Sequence, residues 1–213
     1  MQIVAMGGWP VGSETPNSPA ALSRALETGF GISVPIRDRF ESLVIASSPA
    51  LDGSLPLTEF LSERPVWPGR VPFLAIQVTS EGLQPLLRQA LSGVERVAPY
   101  VFGMSVPETS HYLDGTIPVF VRQSEYETTP AFYEMAEGVW LDALERDWYD
   151  ERLILAHLRA GKHVAIVSDE LHNRPHDEQW AMLKAAWQRV GDARTRVQLC
   201  TSLPAEARDF FGD

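Results

Sequence analysis

The sequence predicts an α/β protein, a compact (β/α)8 TIM barrel in which some helices are short or missing. Eight short runs of strand-forming residues recur along the 213 residues. Most runs are apolar throughout rather than alternating, a pattern typical of parallel strands that are covered on both faces. Segments with helix start and stop signals lie between the runs. Because such barrels rarely have fewer than about 200 residues, not every helix can be long.

The predicted strands are rich in Val, Ile, Leu and Phe and are bounded by turn-forming residues. They are Gln2–Met6, Gly31–Ile36, Phe73–Val78, Pro99–Met104, Val119–Gln123, Gly138–Ala143, His163–Ser168 and Arg196–Thr201. An additional run, Leu43–Ser47, follows the second strand closely and is expected to pair with it as a hairpin.

Helix signals occur in five of the connections. Ser18 before Pro19 predicts a helix that extends to about Thr28, with serine as the N-cap and proline in the first turn. Ser80 and Asp150 are the predicted N-caps of two further helices. The remaining two are indicated by the apolar stripe from Trp180 to Val190 and by Pro204.

One long connection, Ser48–Pro72, is predicted to be irregular. It carries prolines at positions 49, 56, 65, 68 and 72, and proline resists both helix interiors and central strands. We expect a packed excursion between the second and third barrel strands. Nothing in the composition marks a domain boundary, so residues 1–213 are predicted to form a single domain.

Composition excludes several functional classes. With 28 acidic and 18 basic side chains the formal net charge is −10, which argues against a nucleic-acid partner. The sequence has no apolar run of about 18 residues, so no membrane span is expected. No secretory signal is expected, because the first residues have no basic region before a long apolar stretch. A single cysteine, Cys200, excludes a disulfide framework and a cysteine zinc cluster. We expect a cytoplasmic protein with a small-molecule ligand, and its oligomeric state stays open.

The ends of the predicted strands, where barrel enzymes place their chemistry, divide into two halves. Strands one to four end in small, neutral or apolar residues. These are Met6-Gly7-Gly8, Ser33, Pro35, Ser47-Ser48, Gln77, Thr79 and Gly103-Met104-Ser105. Strands five to seven end in ionisable residues. These are Arg122, Glu125, Asp142, Asp169, Glu170 and His172.

The sequence resembles the glycerophosphodiester phosphodiesterases, a group of the phosphatidylinositol-phosphodiesterase-like barrels, essentially from end to end. The motifs that carry the resemblance are Asn17-Ser18-Pro19, Phe102–Pro107, Arg122–Glu127, Gly138–Asp142, Val167–His172 and Leu199-Cys200-Thr201. The resemblance implies a TIM barrel and an ancestral metal-dependent hydrolysis of phosphodiesters.

The chain departs from this family at the catalytic signature. Active members carry His-Arg-Gly after strand one, Glu-x-Asp on strand two, a second His followed by Asp, a strand-three lysine and a strand-four acid. The matching positions here are Met6-Gly7-Gly8, Ser33 and Pro35, Ser47 and Ser48, Thr79, and Gly103, and Ser202 stands where an acid often follows the strand-eight Cys-Thr pair.

The resemblance therefore implies that the ancestral activity is lost. In the family two histidines act as general acid and base, and carboxylates hold a divalent cation that neutralises developing charge. Serine, proline and methionine do neither, and hard cations bind mainly to carboxylate and carbonyl oxygens. No metal and no other cofactor is expected.

The surviving ionisable residues have two interpretations each. Arg122 and Glu125 form either an ion pair that braces the barrel mouth or, through the planar guanidinium, an anion-binding site. Asp142 is either a partner of that arginine or a carboxylate that orients a bound hydroxyl, and Trp140 is core or pocket wall. These four residues are the candidate ligand-binding set.

Glu170 and His172 are the candidate catalytic residues. In an extended loop, side chains at i and i+2 face the same way, and histidine transfers protons near neutral pH. A hydrogen bond that only braces the loop is the alternative. His111, His157 and His163 are predicted to lie at the surface or at strand edges, and His176 near a helix N-terminus. Gly7 and Gly8 are expected to allow close approach of a ligand.

Three functions stay open. The first is a metal-free pocket that binds or transforms a small organic molecule, including an anionic one, and would make the protein a repurposed enzyme. The second is a non-catalytic pseudoenzyme or scaffold, and the third is a surviving phosphodiesterase. The first is favoured because the departures cluster at the barrel mouth, whereas random decay would spread them.

Overall fold

The computed structural model describes residues 1–50, 53–62 and 71–212. The chain divides into two compact units. One comprises Met1–Val4 and Phe120–Asp213, and the other is Ala5–Val119. Each unit is built on its own set of neighbouring strands, so the two are described in turn.

All eight predicted barrel strands are present, with ends that differ from the prediction by at most three residues. The strands are β1 (Gln2–Met6), β2 (Gly31–Arg39), β3 (Ser42–Ile45), β4 (Leu55–Pro56), β5 (Phe73–Val78), β6 (Ala98–Phe102), β7 (Phe120–Gln123), β8 (Gly138–Leu141), β9 (His163–Val167) and β10 (Val197–Thr201). The predicted hairpin is confirmed, because β3 runs antiparallel to β2 with Ile36 opposite Ile45.

Helices follow most of the strands. They are α1 (Pro19–Glu27), α2 (Leu57–Ser62), α3 (Gln84–Leu91), α4 (Val106–Thr109), α5 (Glu151–Arg159), α6 (Asp177–Arg189) and α7 (Pro204–Phe211). The connection from β7 to β8, which the structure describes throughout, contains turns and no helix, and α4 is one turn long. The prediction that some helices are short or missing is confirmed.

Two of the predicted N-caps are confirmed. Ser18 accepts a hydrogen bond from the Ala21 N–H at the start of α1, and Asp150 accepts from the N–H groups of Arg152 and Leu153 at the start of α5. Such caps satisfy N–H groups that have no partner inside the helix.

Two local predictions are wrong. The helix expected to begin at Ser80 begins at Gln84, after a turn at Gly82, and has no side-chain cap. The excursion expected to be irregular contains β4 and α2, because Pro56 lies in a two-residue strand that pairs with β3 and precedes the helix. Its residues 51–52 and 63–70, with Pro65 and Pro68, lie outside the described residues.

In the unit Ala5–Val119 the strands follow the order β4-β3-β2-β5-β6. β2 and β5 are parallel, as are β5 and β6, and most of their residues are buried. The core of this unit includes Leu22, Leu26, Ile32, Leu74, Ile76 and Tyr100, each at most 1% exposed.

The glycines after β1 lie in close contact with neighbouring backbone and side chains. Gly8 has a φ of +84°, and a Cβ on this residue would lie 2.6 Å from the carbonyl carbon and oxygen of Ala21 in α1. A Cβ on Gly7 would lie 2.8 Å from Pro16. The missing side chains let this loop pack closely against its own chain.

In the other unit, β10, β9, β8 and β7 are neighbours in that order and are parallel throughout. Their carboxyl ends therefore lie along the same edge. The register places Arg122 opposite Trp140, Trp140 opposite Ala165, and Ala165 opposite Gln198. This edge carries all six residues of the predicted site.

Candidate functional site

The register of the parallel strands brings three of the predicted ligand-binding residues to one face. Arg122 and Trp140 are directly opposite each other, and Asp142 lies two residues beyond Trp140, so it points to the same side. Gln123 follows Arg122 and is opposite Leu141. Its side chain points to the other side of the sheet, where it contacts His157 of α5. Arg122, Trp140 and Asp142 thus occupy the face turned away from α5.

Asp142 and His172 form a hydrogen-bonded pair at this edge. His172 Nε2 lies 2.7 Å from Asp142 Oδ1, and the two side chains are 24% and 9% exposed. The backbone of Asp142 is held on both sides, since its N–H donates to the Gln123 carbonyl at 2.9 Å and its carbonyl accepts from Trp148 Nε1 at 2.7 Å. The carboxylate is therefore fixed in place before any ligand binds.

The histidine's second nitrogen is available for chemistry. A carboxylate accepts hydrogen bonds, so the contact places a hydrogen on Nε2 and leaves the lone pair on Nδ1. Among the residues that the structure describes, none is hydrogen-bonded to His172 Nδ1. A carboxylate that orients an imidazole in this way equips it to take a proton from a bound molecule and to return it.

The prediction that Glu170 and His172 form a pair is wrong, because the two side chains have different partners. Residues 169–172 form a 3-10 helical turn instead of the expected extended loop. Glu170 Oε1 accepts from Thr201 Oγ1 at 2.5 Å and from the Ser202 N–H at 3.0 Å. Glu170 thereby ties the loop after β9 to the loop after β10, and the carboxylate that contacts the histidine is Asp142.

The predicted ion pair between Arg122 and Glu125 is replaced by other contacts. Arg122 Nε lies 3.8 Å from a carboxylate oxygen of Glu127, and the arginine side chain is 53% exposed. Glu125 accepts from the N–H groups of Leu144 and Glu145. Burial raises the pKa of Glu125, but these N–H bonds outweigh it and hold the pKa below its ordinary value. Glu125 therefore braces the loop after β8 as an ionised group.

Sequence reasoning missed a buried ion pair beside the histidine. The Arg174 guanidinium contacts the carboxylate of Asp169, whose side chain is 3% exposed. It also donates to the Ala143 carbonyl at 2.9 Å and to Asp147 at 2.9 Å. Burial raises the pKa of Asp169 to about 6, although Arg174 opposes this. One guanidinium thus joins the segment that carries His172 to the segment that carries Asp142.

The signal for this pair was weak in the sequence. Asn173 has a φ of +58° and turns the chain between His172 and Arg174, and asparagine is one of the few residues that tolerate this conformation. An Asp five residues before an Arg has no periodicity that predicts a contact. The turn at Asn173 is what brings Arg174 back to Asp169.

The prediction that His157 lies at the surface is wrong. His157 is 4% exposed, and its ring nitrogens lie 2.9 Å from the Tyr133 hydroxyl and 2.7 Å from Gln123 Oε1. Burial lowers its pKa, so the neutral ring is favoured. This network fastens α5 to the β7–β8 connection on the side away from Asp142. Cys200, by contrast, is buried as its apolar strand predicts.

Each unit contains a cavity. In the unit with the Asp142–His172 pair, a cavity of about 210 Å³ is lined by Asp147, Tyr149, Glu178, Gln179 and Met182. In the unit Ala5–Val119, a cavity of about 720 Å³ is lined largely by residues 15–19, 45–49 and 53–56. Its walls include Ser47 and Ser48, and most of its lining residues are neutral, with Glu59 as the exception.

The described residues lack two further features. No group of three or more His, Cys, Asp and Glu side chains within residues 1–50, 53–62 and 71–212 is arranged to hold a metal ion. No helix in the same part of the chain is long and apolar enough to cross a membrane.

Comparison with solved structures identifies the fold. A protein from Galdieria sulphuraria, provisionally named a glycerophosphodiester phosphodiesterase, has a TM-score of 0.68 at 14% identity, and the match covers 100% of this chain and 98% of that chain. The glycerophosphodiester phosphodiesterase from Thermotoga maritima has a TM-score of 0.59 at 7% identity over 97% and 96%, and that from Agrobacterium tumefaciens has 0.56 at 13% over 99% and 98%.

These identities are too low to establish more than the fold. No protein-family model and no curated protein sequence matches this chain. The structural likeness nevertheless spans the whole chain and confirms the expected resemblance at the level of fold. The predicted fold class, an α/β TIM barrel with some short or missing helices, is confirmed in the same way.

Proposed function

We propose that this chain, which has the fold of the glycerophosphodiester phosphodiesterases, has lost their metal-dependent hydrolysis. In its place, a metal-free pocket binds or transforms a small organic molecule, including an anionic one. We place this activity in a single domain, residues 1–213, working in the cytoplasm. The Asp142–His172 pair is the observation that carries the proposal.

The pair supports proton transfer without a metal. Asp142 is 9% exposed on its side chain and lies 2.7 Å from His172 Nε2, so it fixes the ring orientation and stabilises the imidazolium that forms when Nδ1 takes a proton. The ring itself is 24% exposed and therefore accessible to a ligand. Histidine in this setting is a general base first and a general acid afterwards.

The neighbouring residues would bind the ligand. Arg122 is exposed on the same face as Asp142 and is held only loosely, at 3.8 Å from Glu127, so its guanidinium can turn to a phosphate or carboxylate group. Trp140, which is 4% exposed, would form the apolar wall beside it. Glu125 and Glu170 would support the site, each by holding a loop through N–H or hydroxyl groups.

The residues of the other unit support the loss of hydrolysis. Ser33 is on β2, and Ser47 and Ser48 line the larger cavity. A hydroxyl binds Mg²⁺ or Ca²⁺ far more weakly than a carboxylate does, and it titrates too far from neutral pH to act as a general acid. A ligand in that cavity would meet mainly hydroxyl groups and prolines, and Glu59 is a single carboxylate among the described lining residues.

The first test is an assay of hydrolysis. The purified protein is incubated with glycerophosphocholine, glycerophosphoethanolamine and lysophosphatidylcholine, with Mg²⁺, with Ca²⁺ or with chelator. We expect release of the phosphorylated product to stay at the level without protein in every condition. Metal-dependent turnover above that level would contradict the proposal and restore the phosphodiesterase interpretation.

The positive test uses a ligand screen in the presence of chelator. Thermal-shift measurements with a library of small phosphates, carboxylates and polyols are expected to find stabilising ligands whose effect is lost in His172→Gln. His163→Gln is the matched control, because His163 is also 24% exposed and also lies beside a carboxylate. If both substitutions reduce the stabilisation by these ligands equally, or if neither reduces it, the assignment of His172 is contradicted.

Arg122→Ala is expected to weaken the binding of anions by about tenfold or more, which corresponds to about 1.4 kcal/mol or more. The reason is that a hydrogen bond between two charged groups contributes about 1.5–3 kcal/mol. Isothermal titration with glycerol 3-phosphate and inorganic phosphate measures the change. Arg189→Ala is the control, since Arg189 lies in the same unit, is 63% exposed and also pairs with a glutamate.

The binding data decide the role of Arg122. Equal affinity of the folded Arg122→Ala variant and the unmodified protein would make Arg122 a structural residue. No binding of either anion by the unmodified protein would contradict the anionic ligand class.

A further inference from the structure

The turn that joins β2 to β3 has an unusual residue at its tip. Arg39 pairs with Ser42 across the hairpin, and the two residues between them, Phe40 and Glu41, have φ values of +45° and +61°. A two-residue turn with two positive φ angles favours Asn-Gly or Gly-Gly. Phenylalanine pays a steric cost in this region because of its Cβ.

Packing against the residues that the structure describes does not explain this phenylalanine. Phe40 is 87% exposed, the most exposed of the large apolar residues that the structure describes. Its ring contacts the guanidinium of Arg39, which lies 5.0 Å from the ring centroid. A strained turn that displays an aromatic ring to solvent presents the ring to another molecule.

A groove beside the turn has the size for such a ring. Its volume is about 300 Å³, whereas a cavity of about 150 Å³ holds benzene. Leu43 at the start of β3 lines it, with Leu86 and Ala90 on successive turns of α3. Glu41, directly next to Phe40 in the chain, also borders the groove.

We propose that two copies of this chain associate through this hairpin, with Phe40 of each copy in the groove of the other. In a two-fold symmetric contact, a projecting residue and a neighbouring pocket satisfy each other reciprocally. The two-fold axis has to pass between Phe40 and the groove of the same copy. Glu41 lies at this place, since it follows Phe40 and borders the groove. The same symmetry brings Arg39 of one copy towards Glu41 of the other.

The charges of the hairpin favour a second copy over a lipid surface. Arg37, Asp38, Arg39 and Glu41 alternate in sign around Phe40 and sum to zero. Antiparallel apposition of two such tips pairs opposite charges. An anionic lipid surface attracts clusters of Lys and Arg, and the chain as a whole carries −10.

Analytical ultracentrifugation of the full chain over a range of concentrations tests the proposal. We expect the mass to rise towards twice the 23.7 kDa of one chain. Phe40→Asn is expected to weaken association by at least about tenfold, a loss of about 1.4 kcal/mol or more. Asparagine tolerates a positive φ, so this variant is expected to melt no lower than the unmodified protein at dilutions where both are monomers.

Two controls complete the design. Met135→Ser removes an apolar side chain that is 63% exposed in the other unit and is expected to leave association unchanged. Arg39→Glu is expected to weaken association, and the double variant Arg39→Glu/Glu41→Arg to restore it, because the reversed charges face each other again across the two-fold axis.

Four results would overturn the proposal. These are a monomer at every concentration, unchanged association in Phe40→Asn, a double charge reversal no better than the single one, and loss of association in Met135→Ser. Sedimentation of the monomer with phosphatidylserine–phosphatidylcholine vesicles that is lost in Phe40→Asn would also overturn it and make the hairpin a lipid contact.

Discussion

Arg174→Ala is expected to lower the free energy of unfolding by about 3–5 kcal/mol above neutral pH. The substitution leaves the Asp169 carboxylate, 3% exposed on its side chain, without the guanidinium that compensates its charge. It also removes the hydrogen bond to the Ala143 carbonyl. Urea unfolding followed by circular dichroism measures the loss.

The loss is expected to depend on pH. The pKa of Asp169 is already raised by burial to about 6, and removing Arg174 raises it further. A carboxyl group whose pKa is higher in the folded state than in the unfolded state destabilises the fold above the folded-state pKa. This destabilisation is relieved as the pH falls towards the unfolded value. The difference in the free energy of unfolding between Arg174→Ala and the unmodified protein should therefore narrow as the pH falls towards about 6.

Two further variants separate charge from packing. Asp169→Asn combined with Arg174→Ala is expected to be more stable than Arg174→Ala alone above neutral pH, because the buried charge is gone. Arg152→Ala is the control, since Arg152 is 90% exposed and its loss is expected to change stability by less than about 0.5 kcal/mol. A pH-independent loss in Arg174→Ala would show that packing, not charge, holds this loop.

Gly8→Ala is expected to destabilise the protein by about 2–5 kcal/mol. The new Cβ would lie 2.6 Å from backbone atoms of Ala21, and neither the loop nor α1 yields as easily as a side chain does. The φ of +84° adds the cost of a left-handed conformation. Thermal unfolding, monitored at the same protein concentration for each variant, measures the effect.

Gly12→Ala is the matched control for Gly8→Ala. Gly12 also has a positive φ, +65°, but a Cβ at this position meets nothing within 4 Å. We expect it to cost only the conformational part, about 1–2 kcal/mol. Equal losses in the two variants would contradict the close contact between Gly8 and α1.

Much of the fold was predictable because its causes are local. The caps at Ser18 and Asp150 depend on N–H groups two or three residues away, and the strands depend on unbroken apolar runs. The wrong start of α3 has a local cause too: Gly82, with a φ of +78°, ends a turn where a serine cap was expected. The helix α2 forms within a proline-rich segment because Pro56 precedes its first residue and does not interrupt it.

The site was predictable only as a set of residues. Asp142 and His172 both follow apolar strands, so the sequence alone identifies them as candidates. Their pairing depends on the lateral order of β8 and β9 and on the 3-10 turn at Asp169–His172. The extended loop assumed for Glu170 and His172 led to the wrong partner.

The sequence by itself determined the strands, most helices, the fold class and the neutral character of the first four strand ends, since these follow from local pattern and residue type. Only the tertiary structure decided which groups meet. It paired His172 with Asp142, Asp169 with Arg174, and the buried His157 with Gln123 and Tyr133. The contacts of His172 and His157 join separate elements, and the Asp169–Arg174 contact closes a turn within one loop. Each of them requires positions that only the sheet register and the turns set.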